Sequence, residues 1–160
     1  MTVAKVTWLQ IPQFTTPQQT AIRVTEIEQA LALPSGVIPF SFGVWDLATG
    51  LTDSQLYRAI AGADVQMPIR PAFRGSIVGM SFQASANKTA GTVVFEGFIN
   101  GTAGPSVTWD SGTDHGVGLW APGTYGFNAN DPLDVRITTD SLTPNGSLDV
   151  EAILYVVQQT

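Results

Sequence analysis

The chain has 160 residues, no cysteine and a formal net charge of −6. A chain of this length buries roughly 70% of its unfolded surface as one domain, so it needs no disulfide. Without cysteine it forms neither a disulfide nor a cysteine-based zinc site. Its seven basic residues provide no basic patch for phosphates, so nucleic-acid binding is not expected.

The surface is expected to be unusually neutral. Charged residues make up 12% of the chain and hydrophobic residues 44%, whereas soluble domains carry about 25% charged residues. A neutral surface favours a subunit with extensive contacts over a freely diffusing monomer. The chain shows no secretory signal and no stretch approaching the ~20 apolar residues of a membrane span. We therefore expect synthesis in the cytoplasm and no membrane insertion.

Residues 1–36 differ in composition from the rest of the chain, since glutamines and prolines interrupt them and their apolar residues follow no sustained period. Proline removes an amide donor and restricts the residue before it, so residues 8–12 are predicted to be extended. We interpret residues 1–36 as an arm and residues 37–160 as the folded domain. The arm residues expected to dock on a neighbouring protein are Trp8, Leu9, Ile11 and Phe14.

One short helix is conceivable inside the arm. Thr25 followed by Glu28 matches a capping box, which can begin a helix that runs to Leu33. Against this interpretation, Ile22 and Val24 continue an alternating pattern, and two turns of helix are marginal without packing.

From residue 37 the pattern becomes typical of strands. In residues 37–45, alternate apolar residues predict a strand with one buried face. Residues 51–62 are ambiguous, because Thr52 and Gln55 can cap a short helix while the second half also reads as a strand. We favour a strand for that second half.

Further strands with turn residues between them follow along the chain. In residues 76–84, the apolar face is predicted to contain Val78, Met80, Phe82 and Ala84. Asn100-Gly101 is a strong hairpin signal. The remaining strands are predicted at residues 92–99, 106–110, 134–139 and 148–158.

The last strand is apolar on both faces. Its even-numbered residues from Leu148 to Val156 share one face, and Ile153, Tyr155 and Val157 lie on the other. A strand of this kind must be covered on both sides. In a sandwich one face meets the core, so the second needs a further layer or a neighbouring subunit. We therefore expect Ile153, Tyr155 and Val157 to form a contact between copies of the chain.

Several short strands at regular spacing predict an all-β antiparallel sandwich or barrel. Residues 73–157 also resemble the trimeric jelly-roll domains of tailed bacteriophages. These domains occur as capsid decoration (cement) proteins, head fibres and tail-fibre tips. The resemblance lies in the turns and strand faces of residues 73–81, 89–96, 99–102, 125–127, 131–140 and 148–156.

The resemblance implies an antiparallel jelly-roll sandwich that forms a homotrimer. It also implies a structural virion protein on the outer capsid surface, with the major capsid protein as partner. The short, irregular arm and the start at Met1 without a fibrous shaft favour a decoration protein. The alternative is a tail-fibre or head-fibre domain that binds a host surface glycan or receptor.

No enzymatic activity is expected. The only histidine, His115, lies near Ser111 and the two aspartates Asp110 and Asp114, which are the residue types of a hydrolytic triad. Neighbours this close in sequence on a loop rarely reach the required geometry, and no Gly-x-Ser-x-Gly elbow is present. Asp110 and Asp114 offer oxygen ligands for Ca²⁺, but their spacing is not that of an EF-hand. We expect no metal and no cofactor.

Two further features of the sequence have alternative interpretations. Glu96 and Glu151 are candidates for a glycosidase pair, but an ion pair on the sheet with Arg136 is the simpler interpretation. Large aromatic residues can stack on sugars, although they more often belong to the core. The two aromatic residues favoured for glycan contact are Trp120 and Tyr125, because they lie in a segment rich in glycine and proline.

Overall fold

The computed structural model describes residues 36–60 and 63–159, and every regular element in this part of the chain is a β-strand. The strands are β1 (Ile38–Val44), β2 (Ser54–Gln55), β3 (Arg58–Ile60), β4 (Ala63–Val65), β5 (Gly75–Ala84), β6 (Ala90–Ile99), β7 (Thr102–Thr108), β8 (His115–Leu119), β9 (Tyr125–Phe127), β10 (Leu133–Thr143) and β11 (Val150–Gln158).

The strands form two main antiparallel sheets. The larger sheet has the order β1-β11-β5-β8, with β9 also paired to β5, and the smaller sheet has the order β2-β10-β6-β7. Strands β3 and β4 pair as a separate hairpin. Strand β11 lies inside the larger sheet between β1 and β5, so its backbone is hydrogen-bonded on both sides.

The hydrophobic core lies between the two sheets. Phe82 of the larger sheet stacks on Phe95 of the smaller sheet, with ring centroids 4.6 Å apart. Trp109 packs against Phe82 at 5.3 Å, and its indole Nε1 donates a hydrogen bond to the carbonyl oxygen of Thr113. The predicted all-β antiparallel sandwich is confirmed.

The predicted buried face of β1 is confirmed, since Phe42 is buried in the core and Ile38, Phe40 and Val44 pack against it. The described part of residues 51–62 contains two short strands and no helix. Gln55 pairs with Arg136 of β10, and Tyr57 forms an isolated bridge with Gly43. These long-range pairings outweigh the weak local helix signal, because so short a helix has little stability of its own.

Strand β5 departs from its predicted faces at one position. Met80, Phe82 and Ala84 face the core as expected, but Ile77 joins them and Val78 lies on the opposite face. The register between β11 and β5 shifts at this point, so that Tyr155 pairs with Gly79 while Val156 pairs with Ile77. A bulge of this kind breaks the alternation of side chains, which a period-two pattern cannot anticipate.

The predicted hairpin turn is also confirmed. Asn100 and Gly101 connect β6 to β7 with φ angles of 51° and 76°. Two consecutive positive φ angles are the requirement of a type I′ turn, which Asn-Gly satisfies at low cost.

The predicted arm, apart from residue 36, and the possible helix at residues 25–33 lie outside the described residues. The same holds for the predicted docking residues Trp8, Leu9, Ile11 and Phe14.

Candidate functional site

The larger sheet has a second apolar face that points away from the core. Its central cluster, which we call the outer cluster, consists of Val37, Val78, Ile153, Tyr155 and Val157. All five side chains are at most 8% exposed, and Tyr155 is fully buried. The prediction that β11 is covered on both sides is therefore confirmed.

Within the outer cluster, Tyr155 makes a specific polar contact. Its hydroxyl lies 3.0 Å from the hydroxyl of Ser81, which is itself buried. A Cβ atom added at Gly79 would lie 3.4 Å from Tyr155 Cδ2 on one side and 3.2 Å from Leu119 Cδ2 on the other. The absence of a side chain at Gly79 thus lets Tyr155 and Leu119 approach each other across the sheet.

Strand β8 extends this outer face to an exposed edge. Val117 pairs with Ser81 and Leu119 pairs with Gly79, so both side chains lie on the side of Tyr155. Val117 is 55% exposed and Leu119 is 39% exposed. Exposed apolar residues next to a buried apolar cluster are typical of an interaction surface.

The predicted subunit contact at Ile153, Tyr155 and Val157 stays a prediction. These side chains are already buried within one chain, so a sister copy has little access to them directly. Val117 and Leu119 are the accessible apolar residues of the same face. Sequence reasoning missed these two residues because they lie in a glycine-rich segment that showed no clear strand pattern.

His115 does not form a triad with Ser111. The His115 Nδ1 atom lies 2.7 Å from Asp114 Oδ1, and both side chains are largely exposed. The Ser111 hydroxyl is bonded instead by Lys88 Nζ at 3.2 Å. Ser111 and His115 therefore have separate partners, so the supposed nucleophile and the supposed base are not linked.

Lys88 organises this loop from inside the protein. It is 2% exposed, and its ammonium group donates to the carbonyl oxygen of Gly91 and to Ser111. Its backbone also exchanges hydrogen bonds with Gly112 and Thr113. A buried ammonium needs such acceptors, because desolvation without them is costly. Lys88 was not recognised from the sequence, since a lone lysine is usually a surface residue.

The Asp114 carboxyl group has a pKa below its ordinary value, chiefly because His115 hydrogen-bonds to it. We expect His115→Ala to raise this pKa, since the largest cause of the shift is removed. A carboxyl group with a lowered folded pKa adds stability above its unfolded pKa and loses that contribution as the pH falls through the folded value. The pair is exposed, so the loss at neutral pH should be below about 0.5 kcal/mol.

Carbon-detected NMR titration of Asp114 in both proteins measures the shift. An unchanged Asp114 pKa in the variant would contradict the assigned cause. The variant His115→Gln is the matched control, because its amide can still donate a hydrogen bond to the carboxylate.

The Asp110–Asp114 loop does not assemble a recognisable cation site. Among residues 36–60 and 63–159, no three histidine or acidic side chains are grouped to hold a metal ion. Asp114 is engaged with His115 and Gln83, while Asp131 accepts a hydrogen bond from the backbone of Asn128 within its own turn.

The two glutamates considered as a glycosidase pair lie far apart in the fold. Glu96 faces outward from the smaller sheet, opposite Arg136, whereas Glu151 lies on the outer face of the larger sheet and accepts a hydrogen bond from Ser41. Carboxylates on opposite faces of a sandwich cannot flank one sugar bond. The expected ion pair of Arg136 with a glutamate is wrong, because the partner of Arg136 is an aspartate.

Arg136 instead pairs with Asp134 on its own strand, where the two atoms Nε and Oδ1 lie 3.1 Å apart. Its guanidinium also lies 3.9 Å from the ring centroid of Phe98. Residues two apart on a strand share a face, and this proximity explains why the neighbouring aspartate is selected.

Trp120 and Tyr125 contact each other edge to face, with ring centroids 5.7 Å apart. Both are partly buried and pack against the core. They do come together, but core packing uses part of their ring surfaces. Glycan contact at these two residues stays a prediction.

A different aromatic pair borders a cleft at the β1 end of the larger sheet. Trp45 and Tyr57 are 39% and 36% exposed, and their ring centroids are 6.1 Å apart. The cleft has a volume of about 300 Å³, and its polar lining includes Gln83, Asp149 and Glu151. Tyr57 was not recognised as a site residue, because only the bridge to Gly43 brings it beside Trp45.

No helix in the described part of the chain is long and apolar enough to cross a membrane. No family model and no curated protein matches the chain. Among solved structures, a similar chain occurs in the structure titled "Acidic stable capsid structure of Helicobacter pylori bacteriophage KHP30". It is 12% identical, with a TM-score of 0.44, and the match covers 79% of this chain and 92% of that chain.

Proposed function

We propose that this protein is a structural virion protein of a tailed bacteriophage, a capsid decoration protein that forms homotrimers on the outer surface of the head. The observation that carries the proposal is the second apolar face of the larger sheet. There the exposed residues Val117 and Leu119 adjoin the buried outer cluster. Exposed apolar side chains that continue a buried apolar face suit a subunit of an assembly better than a free monomer.

The strand order supports a jelly-roll topology for the sandwich. A jelly roll distributes eight strands over two sheets through two Greek keys. Here the chain passes repeatedly between the sheets, with β1, β5, β8 and β11 in the larger sheet and β2, β6, β7 and β10 in the smaller one. Jelly rolls recur in viral capsid proteins, where their faces serve as contact surfaces.

The proposed contact between subunits centres on β8. This strand lies at the end of the larger sheet's order, so its outer edge is available for pairing within the described fold. Apolar burial of Val117 and Leu119 would add to any backbone pairing. Closed rotational symmetry would then repeat the same contact around the trimer axis.

Residues 1–36 are proposed to dock on the major capsid protein through Trp8, Leu9, Ile11 and Phe14. An extended segment can add a strand to an exposed sheet edge, with its apolar side chains filling pockets. Three linked arms would make each trimer slow to dissociate, because the second and third contacts form within one complex. Decoration of this kind would hold adjacent capsomers together.

Leu119→Asp is expected to weaken trimer formation by at least about thirtyfold, because it places a carboxylate in an apolar contact. Light scattering measures the oligomer directly, and the wild type should give three times the 17.0 kDa of one chain. The matched control is Thr108→Asp, which adds the same charge at an exposed position of the smaller sheet.

Two outcomes would count against this proposal, the first against the trimer itself and the second against the contact at β8. One is a wild-type chain that stays at the mass of a monomer at every concentration and also when bound to capsids. The other is a Leu119→Asp variant that keeps its trimer while Thr108→Asp loses it. The position on the virion is tested separately by electron microscopy of particles labelled through this chain. Labels confined to the tail would exclude capsid decoration.

A further inference from the structure

We propose that the cleft between Trp45 and Tyr57 binds a neutral sugar unit of a glycan. This binding site is distinct from the proposed contacts of the decoration protein. It also differs from the aromatic pair Trp120 and Tyr125. The proposal rests on the exposed rings, the polar groups beside them and the charge of the cleft.

The backbone brings the two rings together and exposes them. Gly43 and Tyr57 form an antiparallel bridge in which both N–H to O distances are 2.8 Å. A Cβ atom at Gly43 would lie 3.4 Å from Trp45 Cη2, so the indole lies directly over the glycine. The rings are tilted by 53° to each other and leave more than a third of each side chain accessible.

Two exposed aromatic rings side by side need an explanation. Trp45 and Tyr57 are two of the five large hydrophobic residues that are exposed in the described part of the chain. They adjoin each other at the rim of a cleft, which indicates a binding site. A single exposed ring would not indicate one, because isolated exposed apolar residues are common. Tryptophan and tyrosine combine an apolar face with a polar atom, which suits ligands that have both apolar and hydrated groups.

Polar groups lie beside the rings and are held in place by the fold. Asp149 Oδ1 accepts a hydrogen bond from the Asp46 amide at 3.1 Å, and the Asp149 amide donates to Ser85 Oγ. Glu151 and Gln83 pair across β11 and β5, so they project from the same outer face toward the cleft. Carboxylate and amide oxygens in fixed positions are good acceptors for hydroxyl groups.

A sugar ring has the matching chemistry. One side of a pyranose presents C–H groups that pack on an aromatic ring, and its rim carries hydroxyl groups that donate hydrogen bonds. A volume of about 300 Å³ is at the lower end of the roughly 300–1,000 Å³ of ligand pockets. The cleft therefore fits a single sugar unit at the end of a glycan better than an extended chain.

The charge of the cleft selects against acidic sugars. Its lining contains the carboxylates Asp149 and Glu151 and only one cationic side chain, Arg58. The guanidinium of Arg58 lies 6.0 Å from the ring centroid of Phe42. The protein as a whole carries a formal charge of −6. A sialic acid carboxylate would be repelled, whereas a neutral hexose would not.

The test uses the full chain labelled with 5-fluorotryptophan, in which Trp45→Phe assigns the fluorine resonance of Trp45. Maltotriose, cellotriose, triacetylchitotriose and lactose are titrated to about 20 mM, which detects millimolar Kd values. At least one of them is expected to shift the Trp45 resonance, and sialyllactose is expected to shift it less. Tyr57→Ala should weaken that binding about tenfold.

The control variant is Met67→Ala, which removes another exposed apolar side chain that does not line the cleft. It should bind the same sugar with unchanged affinity. The proposal is overturned if none of the four neutral sugars shifts the Trp45 resonance. It is also overturned if Tyr57→Ala binds as the wild type does, or if the resonance shifts with protein concentration alone, which would assign the cleft to contact with a second copy.

Discussion

Tyr155→Asp is expected to unfold the protein and not merely to dissociate its subunits. Tyr155 is fully buried in the outer cluster, where its hydroxyl contacts Ser81. An aspartate there would place a carboxyl group among Ile153, Val157 and Val78. Burial of such a group costs more than about 4 kcal/mol, which is a large part of the roughly 5–15 kcal/mol that stabilises a domain.

Urea unfolding monitored by circular dichroism measures this loss. Tyr155→Phe is the matched control, because it keeps the ring and removes only the hydroxyl, at a cost of about 1 kcal/mol. A Tyr155→Asp protein that is monomeric but has the urea midpoint of the wild type would contradict the expectation. That result would place Tyr155 at an open contact between subunits, as the sequence alone suggested.

Phe82→Ala is expected to cost about 3–5 kcal/mol of folding free energy. Phe82 joins the two sheets, since it stacks on Phe95 at 4.6 Å and contacts Trp109 at 5.3 Å. It also fills the space left by Gly116, where a Cβ atom would lie 2.5 Å from Phe82 Cε1. Truncation would open a cavity in the middle of the sandwich that its rigid sheets cannot close.

The free energy of unfolding in urea is again the measurement, with Trp109 as a nearby fluorescent probe. Phe82→Leu is the control, because it leaves a smaller cavity and should cost about 1–2 kcal/mol. A loss below about 1 kcal/mol in Phe82→Ala would show that the contact between the sheets is not centred on this ring.

The two stability experiments also help to interpret the assembly experiment. Leu119 is partly accessible, so Leu119→Asp should lower the urea midpoint of the isolated subunit by much less than Tyr155→Asp does. Tyr155→Asp should lower it strongly. If both variants lose the trimer, only the loss in Leu119→Asp can be assigned to the contact between subunits, because Tyr155→Asp also unfolds the chain.

The chemical candidates show how a sequence can bring the right residue types together without the right geometry. His115, Ser111 and Asp114 lie within one short loop, yet Ser111 is bonded to Lys88 and His115 to Asp114. The partner of Ser111 comes from 23 residues earlier in the chain. Proximity in sequence therefore brings the residue types of a triad together, but the fold does not link Ser111 to His115.

The sequence by itself determined the strand character of the domain and the two faces of its last strand. Alternation of side chains is a local property of an extended backbone, so Leu148 to Val157 could be assigned without knowledge of their partners. The Asn100-Gly101 turn was equally local, because its two positive φ angles depend on those residue types.

Only the tertiary structure decided where the surfaces lie. The register shift between β11 and β5 turned Val78 outward, and the bridge from Gly43 to Tyr57 placed a second ring beside Trp45. Pairing with β5 likewise placed Val117 and Leu119 next to the outer cluster. These arrangements depend on which distant segments pair and in which register, and a single local period does not contain that information.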